Sequence, residues 1–306
     1  MSSRKLVDYL VITLKGMAMG VAELVPGVSG GTIAFVAGIY EEFISSINSF
    51  NLKAFQILRK DGFKSAWIYI NGNFLIALLL GMIISIISFS KLVSWLLENE
   101  PIPLWSFFFG LVIASMIIVI KAIKKWNLLV IVAFIIGTIT AYYITTLPPS
   151  QNSESLPFIF LSGSIAICAM ILPGISGSFI LVLLGSYKVI LDAVHERDFK
   201  ILITTALGCL FGILTFAKLL KWMFKSYRNS TLALLTGFIL GSLNKIWPWK
   251  KVLATKVFGD KTIVTDEMSV LPGTFEGDPQ LILAIGLAVT GFSLIFILER
   301  VAAKNK

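Results

Sequence analysis

The sequence predicts an all-α polytopic membrane protein built as an inverted-topology repeat. Each half is a re-entrant helical hairpin with a PGxSG turn, followed by about three transmembrane helices. Three observations carry this reading. Of 306 residues, 57% are hydrophobic and only 14% are charged, against about 25% charged in an ordinary soluble domain, and the mean hydropathy is +0.88. Apolar runs long enough to cross a bilayer recur along the chain. A Pro-Gly hexapeptide occurs twice, PGVSGG at 26–31 and PGISGS at 173–178, each time interrupting an apolar stretch.

The duplication extends well beyond the hexapeptides. In register with them, Gly16, Ala22, Gly38 and Tyr40 fall on Gly163, Ala169, Gly185 and Tyr187. A second block pairs FSKLVSWLL at 89–97 with FAKLLKWMF at 216–224, so that Lys91 falls on Lys218 and Trp95 on Trp222. Gly110 then falls on Gly237 and Ser115 on Ser242. The distance between copies shortens because residues 48–72 form a polar excursion that the second half lacks. Two ordered blocks make duplication a better account than chance recurrence of one short motif.

The first repeat covers 1–147, with a hairpin at 6–47 and spans at 74–97, 104–120 and 128–147. The second covers 148–306, with a hairpin at 157–194 and spans at 201–224, 231–247 and 280–298. The spans have roughly the length that about 30 Å of hydrocarbon requires. The segments flanking each Pro-Gly motif are shorter or less uniformly apolar, which suits half-membrane helices that enter and return on one side.

Loop charge sets the orientation, because cytoplasmic loops are enriched in Lys and Arg. Arg4 and Lys5, then Lys53, Arg59, Lys60 and Lys64, place both ends of the first hairpin inside. Lys121, Lys124 and Lys125, then Lys221, Lys225 and Arg228, and finally Arg300, Lys304 and Lys306 mark further cytoplasmic segments. The turns ENEPIP at 98–103 and PPSQNSESLP at 148–157 carry no basic residue and belong outside. A hairpin plus three spans is an odd number of crossings, so the halves have opposite orientation and both termini are cytoplasmic. Loop 248–279 resists this scheme: it belongs outside, yet holds Lys250, Lys251, Lys256 and Lys261. Asp260, Asp266, Glu267, Glu276 and Asp278 bring it near neutrality.

The N-terminus does not read as a cleavable signal, since Asp8 and Lys15 interrupt its first apolar run. The net charge of +9 belongs to the loops and does not point to nucleic acid. Cys168 and Cys209 lie in apolar runs and His195 stands alone, so no disulfide framework, metal site or cofactor is expected. Without a GxxxxGK[ST] loop, ATP hydrolysis is not expected either.

Pro and Gly stop a helix, one by lacking an N–H and the other by tolerating positive φ. In lipid, broken backbone survives only when buried in protein or lining a cavity. Two breaks at matching positions of an inverted repeat therefore place a polar site near the bilayer midplane. The residues after each break lead into apolar helices whose first N–H groups sit at the positive end of a helix dipole. The candidate anion cradle comprises Pro26, Gly27, Val28, Ser29, Gly30, Gly31 and Thr32 in one copy. In the other it comprises Pro173, Gly174, Ile175, Ser176, Gly177 and Ser178. Its chemistry suits phosphate or carboxylate.

Glu23, three residues before Pro26, is an intramembrane carboxylate where the second half has Met170. It reads as a proton carrier or coupling gate, as a polar partner for the hairpin backbone, or as an interfacial side chain reaching water. Lys91 and Lys218 either snorkel at span ends or guide an anionic headgroup, and Trp95 and Trp222 beside them fit interfacial anchoring.

At these residues the chain resembles a known family. GMAMGVAELVPGVSGGTIAFVAGIYEEFI at 16–44 and MILPGISGSFILVLLGSYKVIL at 170–191 are similar to the signatures of a bacterial membrane family, formerly a domain of unknown function, regarded as polyprenyl-phosphate transporters. The resemblance spans nearly the whole chain. It implies a non-enzymatic flippase in the bacterial cytoplasmic (inner) membrane that returns undecaprenyl phosphate, a carrier lipid of cell-wall synthesis, to the cytoplasmic leaflet. Its partners would be that lipid and the bilayer. The family's functional region maps onto Pro26, Gly27, Ser29, Gly30 and Gly31, and onto Pro173, Gly174, Ser176 and Gly177. Ser178 stands where the first copy has Gly31, so the two motifs are not equivalent at that position.

The physics agrees with such a substrate. A phosphate cannot shed its water into hydrocarbon unaided, whereas dipole-rich helix ends can replace that water while the prenyl tail stays in lipid. Two rivals share parts of this pattern. A small-anion channel or exchanger would use the same cradle without a lateral opening. Undecaprenyl-pyrophosphate phosphatases carry a related PGxSRS loop, but Gly30 and Gly177 stand at the Arg position here and no paired-glutamate motif accompanies them.

Overall fold

The computed structural model describes residues 4–304 apart from 149, 151, 152, 154, 259 and 260, without side chains at 254–258, 261–266 and 298–304. Parts of the expected 148–157 turn, Lys306, and the side chains of Lys256, Lys261, Asp266, Arg300 and Lys304 thus lie outside the described residues, as does Asp260.

Helix α1 (Leu6–Glu23) opens with the Lys5 N–H donating to the Asp8 carboxylate at 2.7 Å and runs to the first Pro-Gly break. Beyond the break come two short helices, α2 (Gly30–Val36) and α3 (Tyr40–Asn48). The same series appears later as α8 (Leu156–Ile171), α9 (Gly177–Leu183) and α10 (Tyr187–Glu196). The turns match in detail: φ is +83° at Gly27 and +86° at Gly174, then +70° at Gly38 and +71° at Gly185. These left-handed conformations are why glycine stands there. The entering arms are longer than half-membrane helices: the 18 residues of α1 reach about 27 Å at 1.5 Å per residue. The returning α2 and α9 have seven residues each, and α9 bends by 103° into α10.

Among the described residues, four helices are each long and apolar enough to cross a membrane: α5 (Gly72–Asn99), α6 (Pro101–Lys121), α7 (Leu128–Thr146) and α11 (Phe199–Ser226). The bent α9–α10 pair gives a fifth if it is one span. The expected span at 231–247 is shorter: α12 (Arg228–Ser242) tightens into a 3-10 turn at Leu243–Ile246. The last helix is α13 (Leu281–Lys304).

Two regions depart from the expectation. The polar excursion at 48–72 is a helix, α4 (Leu52–Tyr69), capped by the Asn51 side chain and broken at Gly62. The segment expected as loop 248–279 holds an antiparallel hairpin, β1 (Lys250–Phe258) with β2 (Lys261–Ser269), in which Lys250 faces Ser269 and Lys251 faces Met268. The all-α expectation holds for the body of the protein, and the hairpin corrects only the expected loop. Val252, Val257, Thr262, Ile263 and Val264 give these strands the β-branched content that a pleated ladder favours.

Close approach at glycine holds the long helices together. A Cβ at Gly16 would stand 2.2 Å from the Leu78 oxygen, fixing α1 against α5, and one at Gly163 would stand 2.7 Å from the Thr205 oxygen, fixing α8 against α11. Gly110 meets the Ala288 carbonyl between α6 and α13, and Gly237 meets that of Phe134 between α12 and α7. Small residues at such seams let backbones approach in lipid, where van der Waals packing replaces the hydrophobic drive. Outward, Leu207, Leu210 and Phe211 of α11 are each more than half exposed, an arrangement favoured by lipid and costly in water.

The bundle has two distinct ends. At one, Arg4 pairs with Glu42 at 2.7 Å, Arg228 with Glu41 at 2.6 Å, and Asn71 donates to Glu42 at 2.7 Å. At the other lie the α5–α6 turn, the end of α7 and the β-hairpin.

Candidate functional site

The two Pro-Gly breaks touch each other. Ser29 caps α2 by accepting from the Gly31 N–H at 3.1 Å and donates to the Leu172 carbonyl at 3.0 Å. In return the Gly174 N–H donates to Thr32 Oγ1 at 3.0 Å. The fit is tight: a Cβ at Gly31 would stand 2.4 Å from the Ile171 oxygen.

The first break is already filled by the chain itself. Glu23 Oε1 accepts from the Gly30 N–H at 2.7 Å, so the chain's own carboxylate occupies the positive end of α2. Of the readings the sequence leaves open for Glu23, the contact made is the one to the hairpin backbone. The second break has Met170 at the matching position. Its Gly177 and Ser178 N–H groups carry no hydrogen bond among the described residues, and Ser176 Oγ lies 2.9 Å from Ser178 Oγ.

A cavity of about 650 Å³ lies against both breaks on the β-hairpin side. Pro26 reaches it from the first break, and Ser178 and Phe179 from the second. Of the cradle residues read from sequence, Pro26 and Ser178 are exposed, and the rest, from Gly27 through Thr32 and from Pro173 through Gly177, are buried. The sequence expectation of two open cradles thus meets one filled and one open motif. Lys91 and Lys218 are exposed on α5 and α11 and do not line the cavity; Trp95 and Trp222 near them are each 54% exposed.

The opposite wall was not legible in the sequence. Lys245, in the turn after α12, and Lys250 and Glu267 of the hairpin line the cavity. Both ammonium groups stand 2.7 Å from the same Glu267 oxygen, and Lys250 also donates to the Lys245 carbonyl at 2.6 Å. Lys250 sits 5.0 Å over the Trp105 ring and Lys245 5.0 Å over that of Phe179. Lys245 also packs against Gly27, where a Cβ would stand 2.9 Å from its Cγ. Burial pushes the Lys250 ammonium below its ordinary pKa, against the pull of Glu267. Burial works to raise the Glu267 carboxyl, but Lys250 and Lys245 outweigh it and hold the group below the usual carboxylate range. Two cations share one carboxylate, so the wall carries one surplus positive charge. Lys251, further along β1, pairs with Glu276. Lys245, Lys250 and Lys251 are thus partly neutralised by their neighbours. The remaining lining is apolar or neutral, with Tyr142, Val182, Leu183 and Leu253 among it.

Long apolar helices around a cavity with one cationic wall and one apolar wall define a class: a multi-pass membrane protein with a polar cavity beside two broken helices. The chain belongs to the undecaprenyl phosphate translocase-like family, whose profile matches residues 19–262. It is 43% identical over 305 residues to a polyprenyl-phosphate transporter of Vibrio cholerae serotype O1, covering 98% of this chain and 99% of that protein. It is 33% identical over 253 residues to a polyprenyl-phosphate transporter of Staphylococcus aureus, covering 77% of this chain and 85% of that one. No solved structure matches.

Proposed function

We propose that the chain moves a polyprenyl phosphate across the membrane by holding its phosphate in the cavity beside the second Pro-Gly break while the prenyl tail stays in lipid. The activity class follows from the family: the chain is a polyprenyl-phosphate transporter, not an enzyme. The observation that carries the finer reading is the meeting of Pro26, Ser178, Lys245 and Lys250 on one cavity that also has an apolar wall. Cations and unfilled helix N–H groups can replace the water a phosphate must leave. Tyr142, Leu183 and Leu253 offer the first prenyl units a surface resembling lipid.

In this reading residues 1–147 and 148–306 are inverted repeats. The paired φ values at Gly27 and Gly174, and the paired glycine contacts of Gly16 with Gly163 and of Gly110 with Gly237, support it. The Arg4–Glu42 end is cytoplasmic, both termini lie there, and the cavity opens outward. Rocking of one repeat against the other then exposes the site to each side in turn. The carrier is undecaprenyl phosphate and the net movement is toward the cytoplasmic leaflet.

The test is reconstitution of purified protein in liposomes with labelled undecaprenyl phosphate in one leaflet. Protein-dependent exchange between leaflets is expected, without phosphate release from the lipid. Robust chloride flux with no lipid exchange would overturn the proposal in favour of a small-anion channel.

A further inference from the structure

The Lys245–Lys250–Glu267 cluster is more than a wall. Lys250 is only 11% exposed at its side chain, and Lys245 and Glu267 are 22% and 24% exposed. The two cations come from different elements: Lys245 follows α12 and packs on Gly27 of the first break, whereas Lys250 begins β1. One carboxylate oxygen bridges them. That oxygen lies where a bound anion would be shared by both ammonium groups, and it is carried by the end of β2. Ser269 on the same strand donates to Asn244 Oδ1 at 2.8 Å, and the base of the hairpin is also anchored by Trp247 donating to the Val270 carbonyl and by Trp249 packed on Ile102 and Ala284, so the Glu267 contacts fasten the cavity side of β2 in particular.

We propose that Lys245 and Lys250 form a binding site for the phosphate monoester of the prenyl lipid, and that Glu267 is its displaceable placeholder, so that lipid binding frees the Glu267 end of β2 from the cavity wall. This rests on the transporter reading above, which already brings the two lysines to the cavity, and adds to it the carboxylate that competes with the headgroup and the element that yields. A dianionic phosphate has more charge and more acceptor oxygens than one carboxylate, and charge-assisted bonds to two ammonium groups favour it. The placeholder keeps the cations from standing unpaired in a half-buried site when lipid is absent. Phe179 and Leu183 beside the site add an apolar surface that free phosphate cannot use.

Binding to purified protein in detergent tests this, with farnesyl phosphate, farnesol and inorganic phosphate as probes. Replacing both lysines, Lys245→Gln with Lys250→Gln, is expected to weaken farnesyl phosphate binding about 10-fold or more, and Glu267→Gln to tighten it about 10-fold because an internal competitor is gone. Tightening is the opposite of what loss of a purely structural ion pair would do. Lys251→Gln, in the ion pair with Glu276, serves as a control that leaves binding unchanged. Farnesol and inorganic phosphate are expected to bind at least about 10-fold more weakly than farnesyl phosphate. Inorganic phosphate binding as tightly as farnesyl phosphate would overturn the lipid assignment. In wild-type protein, hydrogen exchange at residues 267–269 is expected to rise when farnesyl phosphate is added, a readout that needs no variant to fold. Exchange that stays level or slows, or Glu267→Gln binding that weakens, would overturn the placeholder. Leaflet exchange by wild-type protein is scored separately, so transport and lysine-dependent binding with an indifferent Glu267 sink only this inference, while absent transport sinks the reading beneath it.

Discussion

The two Pro-Gly breaks share a backbone and differ in what occupies them. In both, a left-handed glycine turns the chain and a serine precedes a seven-residue helix. At the first, Glu23 and Ser29 take up the Gly30 and Gly31 N–H groups. At the second, the matching position is Met170, the first N–H groups are unpartnered among the described residues, and Ser178 opens on a cavity. On the reading proposed above, one break is a fixed joint filled by the chain's own carboxyl group, and the other keeps its donors for a ligand. A buried N–H without an acceptor is costly, so an unfilled cradle persists at lower cost when it faces a cavity that water or an anion can enter.

If that division is right, matched substitutions at the two breaks act on different quantities. The largest effect is expected from Ser178→Trp, which fills the cavity from the open break: leaflet exchange should fall about 100-fold, or about 2.7 kcal/mol in the barrier, with little change in thermal stability. At the equivalent position of the first break, Gly31→Ala sets a methyl 2.4 Å from the Ile171 oxygen. That should cost about 2 to 3 kcal/mol of stability, read from melting of the detergent-solubilised protein, and should lower exchange only as far as it lowers the folded fraction. Equal transport losses from both, at unchanged stability, would erase the distinction.

Glu23 gives a smaller and more selective test. Glu23→Ala strands the Gly30 N–H and is expected to cost about 1 to 2 kcal/mol. Glu23→Gln keeps an acceptor oxygen within reach and should cost less. If Glu23→Gln abolishes exchange while leaving stability intact, the carboxylate is a proton carrier after all.

The smallest effect concerns how each hairpin is closed. Arg4 ties the start of α1 to Glu42 of α3, and Asn71 donates to the same carboxylate. The matching part of α10 has the pair Lys188–Asp192 within one helix. Burial works to raise the Glu42 carboxyl, but the Arg4 and Asn71 hydrogen bonds prevail and hold it below the usual carboxylate range. A lowered folded-state pKa means the stabilisation is present above the unfolded value of about 4.3 and is lost as pH falls through the folded value. Amide exchange in α3 should therefore quicken on acidification below about pH 4 by more than that in α10, and Glu42→Gln should remove the difference.

Much of this architecture is written locally, and that part is legible in the sequence. Spans such as 74–97 and 128–147 announce themselves because lipid demands long apolar runs, and the breaks do so because Pro and Gly are specific about backbone. What the sequence hides depends on contacts across the chain. Glu23 and Gly30 are seven residues apart, and only the turn at Gly27 brings them together. The cavity wall joins Lys245 and Lys250 to Glu267 across a hairpin, so the loop's near-neutral composition conceals a local surplus of positive charge. One signal was available: the runs KKVLATKVF and KTIVTDEMS are rich in β-branched residues and separated by Gly259 and Asp260, a pairing that points to a β-hairpin.

The most direct measurement is the structure of the protein with a prenyl phosphate bound. Phosphate is expected within hydrogen-bonding distance of Lys245 and Lys250, beside Ser178, with Glu23 still accepting from the Gly30 N–H. Phosphate seated on Gly30 and Gly31 with Glu23 turned away would contradict the division of labour between the two breaks.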